Sequence, residues 1–221
     1  MLTQATISRP PSQQNPSSAP APTGTIDMIG AVTPFARNTE IYGENERVKY
    51  LYRVLKGCVR TSKVLEDGRR QIAAFYLPGD VFGFEAGDRH TLSAEAIVDS
   101  QLLVLRRAAV AALAARDSSV AGQLWAMTIA ELHRAQDQIM LVVRTAQERV
   151  AGFLLEMSRR SCDSDHINLP MSRQDIADYL GLTIETVSRA LTQFKDAKAI
   201  ALPTSRHIVL RDREALRRLN A

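Results

Sequence analysis

Cysteine, tryptophan and long apolar runs are scarce in this sequence of 221 residues. The two cysteines, Cys58 and Cys162, stand far apart in no metal-ligand or redox spacing, and the four histidines are scattered. This usage fits a reducing cytoplasm better than a disulfide scaffold. The longest apolar run, residues 108–115, is too short to span a bilayer, and no secretion signal opens the chain. We therefore expect a cytoplasmic protein without a metal site or membrane contact.

Strong charge of either sign is also lacking. The formal net charge is +4, and residues 168–221 carry nine Lys or Arg against six Asp or Glu. This small excess permits contacts with nucleic-acid phosphates but does not require them. We find no nucleophile–base pair, metal-ligand cluster or glycine-rich phosphate loop, so the patterns argue against an enzyme.

The chain divides into four segments. Residues 1–25 are rich in Pro, Ser, Gln and Ala and lack a periodic apolar pattern, which predicts a disordered tail. Residues 26–117 contain short apolar runs, most clearly from Val48 onward, with turn signals such as Asp67-Gly68 between them. They predict a small antiparallel β-sandwich or roll. Residues 162–169 read as a polar linker, and the last segment, residues 161–221, contains two short helices and a hairpin.

An apolar stripe at steps of three or four predicts one long helix over residues 118–160. A helix of that length, about 60 Å, exceeds what one small domain needs, and a sustained stripe of this kind usually pairs with a copy of itself. The alternative is a long helix packed only on its own roll. The stripe residues assigned to a homodimer interface are Leu132, Ala135, Ile139, Val142, Ala146, Val150 and Phe153.

Residues 171–195 predict two helices around a tight turn. Ser172 and Asp175 have the spacing of a capping box, Gly181 can end the first helix, and Thr183 can cap the second. The second helix is apolar on one side and carries Glu185 and Arg189 on the other, which suits the major groove of DNA. With the hairpin that follows as a wing, the pattern predicts a winged helix-turn-helix.

The polar side of the second helix supplies the predicted DNA contacts. Glu185, Ser188 and Arg189 are expected to contact bases. Secondary or phosphate contacts are assigned to Ser172, Arg173, Thr183, Ile184, Thr186 and Arg206. Alternatives remain open: Glu185 and Arg189 could merely pair with each other, Ser188 could be an ordinary surface serine, and Arg206 a solvated turn residue.

The order of roll, long helix and winged helix resembles the Crp–Fnr family of transcription regulators. The matching motifs are LPGDVFGFE at residues 77–85, RTAQERVAGFLL at 144–155 and SRQDIADYLGLTIETVSRALTQF at 172–194, the last being highly specific. The resemblance implies an α+β fold with an N-terminal antiparallel β-roll of the cyclic-nucleotide-binding, jelly-roll type. The ETVSR run at residues 185–189 is similar to the FixK-type branch. That branch implies a homodimeric activator that recognises inverted TTGA half-sites, contacts RNA polymerase and controls nitrogen-fixation or microaerobic genes.

The resemblance also bears on cofactors. Glu85, Arg89 and Thr91 depart in spacing from the phosphate cassette of cyclic-nucleotide-binding relatives. Two cysteines cannot supply the four ligands of an iron–sulfur cluster, and His90 is only a loosely placed haem ligand. We therefore expect no cofactor and an effector-independent regulator. The alternative is a Crp-like sensor that binds a small molecule in its roll.

Overall fold

The structure is a computed structural model that describes residues 29–161 and 163–220, without the side chains of Val142 and Asn220. The strands of its N-terminal half are β1 (Ala31–Phe35), β2 (Glu40–Tyr42), β3 (Tyr50–Lys56), β4 (Val59–Val64), β5 (Arg70–Tyr76), β6 (Val81–Phe82), β7 (Ser93–Ala96) and β8 (Ser100–Arg106). They form two four-stranded antiparallel sheets in the orders β1-β8-β3-β6 and β2-β7-β4-β5. The predicted antiparallel roll is confirmed. The predicted disordered tail, residues 1–25, lies outside the described residues.

Apolar side chains from both sheets fill the centre of the roll. Val54 and Val59, from β3 and β4, are fully buried together with Phe82 and Leu102, from β6 and β8. Branched and aromatic side chains of this kind pack well on a pleated, half-buried surface, which is why the runs that carry them become strands. The roll thus has a core of its own.

The predicted hairpin turn joins β4 to β5. The Leu65 N–H donates to the Arg69 carbonyl at 2.8 Å, and Gly68 has a φ of +82°, which a residue with a Cβ rarely adopts. Arg69 Nε donates to the Asp67 carboxylate at 2.7 Å across the turn. Because the hairpin fixes the register of β5, it also fixes where Arg70, the first residue of that strand, meets the rest of the molecule.

Besides the two-residue strand β6, three elements of the N-terminal half are not predicted by the sequence patterns. Strand β1 is an edge strand that contains Pro34 and is largely exposed, so it lacks a clear apolar alternation. Strand β2 has only three residues and an irregular register. Helix α1 (Arg107–Ala114) is rich in alanine and buries only Val110. Its sequence therefore lacks the contrast between an apolar and a polar side that predicts a helix.

The predicted single helix over residues 118–160 is wrong, because the structure breaks it in two. Helix α2 (Ser118–Met140) ends in a 3₁₀ turn (Leu141–Val143), and helix α3 (Ala146–Arg160) starts anew. Thr145 caps α3 in a complete capping box: its side chain accepts from the Glu148 N–H at 3.3 Å, and Glu148 accepts from the Thr145 N–H at 2.7 Å. Such a box satisfies N–H groups that an unbroken helix would have bonded internally, and it therefore marks a helix start.

The C-terminal domain is a winged helix-turn-helix, as predicted. Its elements after α3 are β9 (His166–Asn168), α4 (Arg173–Leu180), α5 (Ile184–Asp196), β10 (Ile200–Ala201), β11 (His207–Leu210) and α6 (Arg213–Asn220). The predicted linker over residues 162–169 is partly wrong, because β9 lies within it and pairs with β11. Ile167 and Ile208 face each other in this pair and are both buried, so the pairing covers part of the domain core.

The break also divides the residues assigned to a dimer interface. Val150 and Phe153 are only 1% and 3% exposed and pack with Val187 and Leu191 in a buried cluster that also includes Phe75 of the roll. Their assignment to a dimer interface is therefore wrong. Ala146 is half-buried. The assigned residues on α2 itself, all exposed, are Leu132, Ala135 and Ile139, and the side chain of Val142 lies outside the described residues.

Among residues 29–161 and 163–220, no helix is both long enough and apolar enough to cross a bilayer.

Candidate nucleic-acid interface

Local hydrogen bonds set the turn between α4 and α5. At the start of α4, Ser172 Oγ accepts from the Asp175 N–H at 3.1 Å, and Asp175 Oδ2 accepts from the Ser172 N–H at 3.0 Å. Gly181 ends the helix with a φ of +63° and a ψ of +40°, the left-handed conformation that favours glycine. Thr183 then caps α5 by accepting from the Thr186 N–H at 3.2 Å. The helix starts and stops predicted from the sequence are confirmed.

Helix α5 has one buried and one exposed side. Its buried residues, Val187, Ala190, Leu191 and Phe194, anchor it in the domain core. On the other side, Glu185 and Arg189 are exposed and Ser188 is half-buried. We call Glu185, Ser188 and Arg189 the reading face. A polar strip on a helix whose opposite side is anchored is the arrangement that helix-turn-helix proteins place in the major groove.

The two charged residues of the reading face do not pair with each other. The structure records no ion pair between Glu185 and Arg189; instead Arg189 Nη2 donates to Thr186 Oγ1 at 3.4 Å. The pKa of Glu185 lies below its ordinary value because of its own backbone N–H, the Thr183 hydroxyl and the nearby charge of Arg189. Near neutral pH the reading face therefore presents one anionic acceptor and one cationic donor, one helical turn apart.

Arg173 links the two helices in a way that sequence reasoning missed. Its Nη1 donates to Ser188 Oγ at 3.3 Å, so the guanidinium predicted to contact phosphate lies beside the reading face. Its Nε is buried and has no hydrogen-bond partner among the described residues. Only the packing of α4 on α5 brings these two residues together, and nothing in their spacing along the chain indicates it.

The other predicted contact residues lie around the reading face. Ser172 is half-buried and occupied by its capping box, and Thr183 and Thr186 lie 3.0 Å apart, oxygen to oxygen, at the start of α5. Ile184 is 37% exposed in the same turn. Arg206 is exposed at the tip of the wing, where its carbonyl accepts from the Leu169 N–H at 2.8 Å. All six predicted secondary contacts thus belong to the two helices or the wing.

A cavity of about 800 Å³ lies between the roll, α2 and the end of α4. Tyr76 donates to Glu131 at 2.7 Å inside it, and Arg134 pairs with Glu131 at 2.9 Å. The Oγ1 of Thr61 and the Oε1 of Gln138, which also line the cavity, are buried without a hydrogen-bond partner in the part of the chain that the structure describes.

The residues of the altered phosphate cassette are not among those that line this cavity. Glu85 accepts from the Thr91 N–H at 3.1 Å and from its hydroxyl, and Arg89 Nη1 donates to the Asn45 carbonyl at 2.5 Å. His90 is buried and stacks on Tyr42 with 3.6 Å between ring centroids. The hydrogen bonds of Glu85 and Arg89 thus go to the loops around residues 45 and 91.

Known protein families match both halves of the chain. Residues 32–117 match the cyclic nucleotide-binding domain, and residues 148–219 match the Crp-like helix-turn-helix domain. The nitrogen fixation regulation protein FixK of Azorhizobium caulinodans is 49% identical over 206 residues, which cover 90% of this chain and 83% of that protein. The chain belongs to the Crp–Fnr family of transcription regulators.

Further relatives agree with the FixK-type resemblance. The FixK protein of Rhizobium meliloti is 39% identical over 216 residues, covering 97% of this chain and 98% of its own. The solved structure of FixK2 from Bradyrhizobium japonicum superposes with a TM-score of 0.84 at 50% identity, covering 87% of this chain and 98% of that one. The Crp–Fnr member described here is a DNA-binding transcription regulator of FixK type. Its helix-turn-helix match begins at residue 148, inside α3, in agreement with the packing of α3 in the C-terminal domain.

Proposed function

We propose that this regulator is an effector-independent activator that binds inverted repeats of TTGA as a homodimer in the cytoplasm. It would act on nitrogen-fixation or microaerobic genes through contact with RNA polymerase, and the names of its FixK relatives, nitrogen fixation regulation proteins, support the first of these. The observation that carries the proposal is the reading face, with Glu185 and Arg189 exposed on a helix that is anchored in the core on its other side.

The chemistry of the reading face fits this half-site. The two donors of the Arg189 guanidinium match O6 and N7 of a guanine, and the Glu185 carboxylate can accept from the amine of cytosine or adenine. Ser188 can reach the O4 or methyl group of a thymine. The contact from Arg173 restricts the Ser188 side chain and adds a positive charge near the phosphates.

Helix α2 supports the homodimer. Trp125, Leu132 and Ile139 follow each other at seven-residue spacing and are 69%, 51% and 69% exposed. Exposed apolar residues at this spacing form the seam of a two-stranded coiled coil, and covering them with the same stripe of a second copy removes them from water. A two-fold dimer also matches the symmetry of an inverted repeat.

The test is a binding titration of purified, ligand-free protein on a labelled duplex with two inverted TTGA half-sites, against a scrambled duplex at the same salt concentration. We expect specific binding at least about a thousandfold tighter than binding to scrambled DNA. Replacing Arg189 with Ala should cost roughly 1–3 kcal/mol at each half-site. Equal affinity of the wild type for both duplexes would refute the proposal. Transcription with purified RNA polymerase from a promoter that carries the site tests activation.

A second candidate function is ligand-gated regulation. It is favoured by the cavity, where the Thr61 Oγ1 and Gln138 Oε1 have no hydrogen-bond partner among residues 29–161 and 163–220. Thermal unfolding with and without cyclic nucleotides distinguishes ligand-gated from effector-independent regulation. A ligand present at 100 times its dissociation constant stabilises the folded state by about 2.7 kcal/mol. Unchanged melting together with specific DNA binding by ligand-free protein would favour the effector-independent regulator.

A further inference from the structure

Five charged residues join the roll to helix α4. We call them the interdomain ion-pair cluster: Arg60, Arg70 and Glu95 from the roll, and Asp175 and Asp178 from α4. Arg60 Nη1 lies 2.6 Å from Asp175 Oδ1, and Arg60 Nη2 lies 2.9 Å from Glu95. Arg70 Nη2 lies 2.7 Å from both Asp175 Oδ1 and Asp178 Oδ2, and Arg70 Nε donates to Asp178 Oδ2 at 2.9 Å.

The cluster is largely shielded from water. The side chains of Arg60, Asp175 and Asp178 are 11%, 8% and 13% exposed, and those of Arg70 and Glu95 are each 29% exposed. Ion pairs buried to this degree contribute little net stability, because desolvation offsets most of their attraction, and their best-attested use is to favour one arrangement of the packed elements over others. The planar arginine fork strengthens this restriction, because its donors point in fixed directions. The cluster is therefore suited to fixing an orientation between the two domains.

Neighbouring contacts hold the other end of α4 against the same surface. Gln138 Nε2, from α2, donates to the Tyr179 carbonyl at 2.8 Å. The Tyr179 ring lies 5.2 Å from that of Phe75 on β5 and 5.9 Å from that of Phe153 on α3. Helix α4 is thus held along its length, by the ion pairs of Asp175 and Asp178 and by the packing of Tyr179. With α4 held in this way, Glu185 and Arg189 on α5 remain exposed.

We propose that the interdomain ion-pair cluster holds the helix-turn-helix in its DNA-binding orientation and so takes the place of an effector. The inference rests on the proposed function. A dimer that reads an inverted repeat must present its two reading helices about 34 Å apart, one turn of DNA. Helix-turn-helix units that pivot freely must be ordered when DNA binds, which weakens binding, whereas units already fixed by Arg70 and Asp178 need no such ordering. Arg60 and Arg70 act as positioning residues, since they lie on the roll and not on the reading face.

The experiment compares full-length variants on the TTGA duplex. Arg70→Gln and Asp178→Asn each remove one side of the same pair, and Lys63→Gln is the matched control. Lys63 pairs with Glu44 at 2.7 Å, and both residues of this ion pair belong to the roll. We expect both cluster variants to bind the specific duplex about tenfold more weakly, the scale of a typical coupling between distant sites. Lys63→Gln should bind like the wild type.

A charge swap separates orientation from general loss of structure. The double variant R70D/D178R restores opposite charges between positions 70 and 178 but places a carboxylate beside Asp175. It should therefore bind more tightly than either single charge reversal, R70D or D178R, without reaching the wild type, and each single reversal should bind more weakly than Arg70→Gln. Thermal unfolding checks that each protein is folded. If Arg70→Gln does not fold, Asp178→Asn and the swap still decide the question.

Three outcomes count against the inference. Unchanged affinity in folded Arg70→Gln and Asp178→Asn would show that the cluster does not position the helix-turn-helix. Tighter binding would show that it holds the reading face away from DNA. If the wild type does not distinguish the TTGA duplex from scrambled DNA, the proposed function fails and this inference falls with it. If the wild type does distinguish them and Arg189→Ala weakens binding, a lack of effect at Arg70 refutes the cluster's role alone.

Discussion

Helices α2 and α3 carry one continuous apolar stripe in the sequence, but the structure leaves the α2 part of the stripe exposed and buries the α3 part. On α2, Trp125 and Ile139 are each 69% exposed, whereas on α3 Val150 and Phe153 are almost completely buried. Apolar periodicity therefore predicts that a helix has an apolar side, but it does not say whether the same chain or a second copy covers that side. The capping box at Thr145 is the local signal that marks where the first helix has ended and the second begins.

The largest expected effect comes from Phe153→Ala, compared with Trp125→Ala. Both changes remove an aromatic ring from the stripe, but only Phe153 is enclosed in a domain core. We expect Phe153→Ala to lower the free energy of unfolding by about 3–5 kcal/mol, measured by urea denaturation. Trp125→Ala should instead act through self-association, so its loss of stability should depend on protein concentration. Equal, concentration-independent losses would contradict the contrast between the helices.

A charged residue introduced into the exposed part of the stripe, on α2, should weaken dimerisation without unfolding the protomer. We expect Ile139→Asp to raise the dimer dissociation constant at least about 30-fold, the effect of a hot-spot residue, as measured by sedimentation. The secondary structure of the protomer should remain intact. His133→Asp is the matched control, because His133 is exposed on α2 but lies off the stripe. A monomeric wild type, or equal effects of both changes, would remove α2 from the interface.

The smallest effect should come from the boundary between the helices. Thr145→Ala removes the side chain that accepts from the Glu148 N–H, and loss of such a cap costs about 1 kcal/mol of unfolding free energy. Thr145→Ser keeps the hydroxyl and should behave like the wild type in the same urea titration. A stability gain in Thr145→Ala would indicate that α2 and α3 form one helix in solution.

The sequence predicts those features of the fold that depend on neighbours along the chain. The hairpin at Asp67-Gly68, the capping box at Ser172 and the turn at Gly181 are all found as predicted. Short or exposed elements are missed: β1 contains Pro34, and β9 lies in a polar stretch whose pairing with β11 requires a distant strand. The alternation of apolar and polar residues in these strands is too weak to predict them from the sequence.

For the candidate site, the sequence predicts which residues share a side of α5 but not what they contact. The exposure of Glu185 and Arg189 agrees with the prediction, and their base contacts stay a prediction. The bond from Arg173 to Ser188 and the approach of Arg70 to Asp178 join residues 15 and 108 positions apart. Such contacts depend on how whole elements pack, which periodicity does not report.

The two oxygens of Asp175 have different partners. Oδ2 accepts from the backbone N–H and hydroxyl of Ser172 at 3.0 and 2.7 Å, whereas Oδ1 faces Arg60 and Arg70. A single carboxylate thus both caps the first helix of the helix-turn-helix and joins that helix to the other domain. A substitution at position 175 must meet two requirements: Asn or Gln can still accept from the Ser172 N–H, but neither can neutralise two arginines. In a selection for function, position 175 should tolerate fewer amino acids than Arg60 or Arg70, although its side chain is smaller than either.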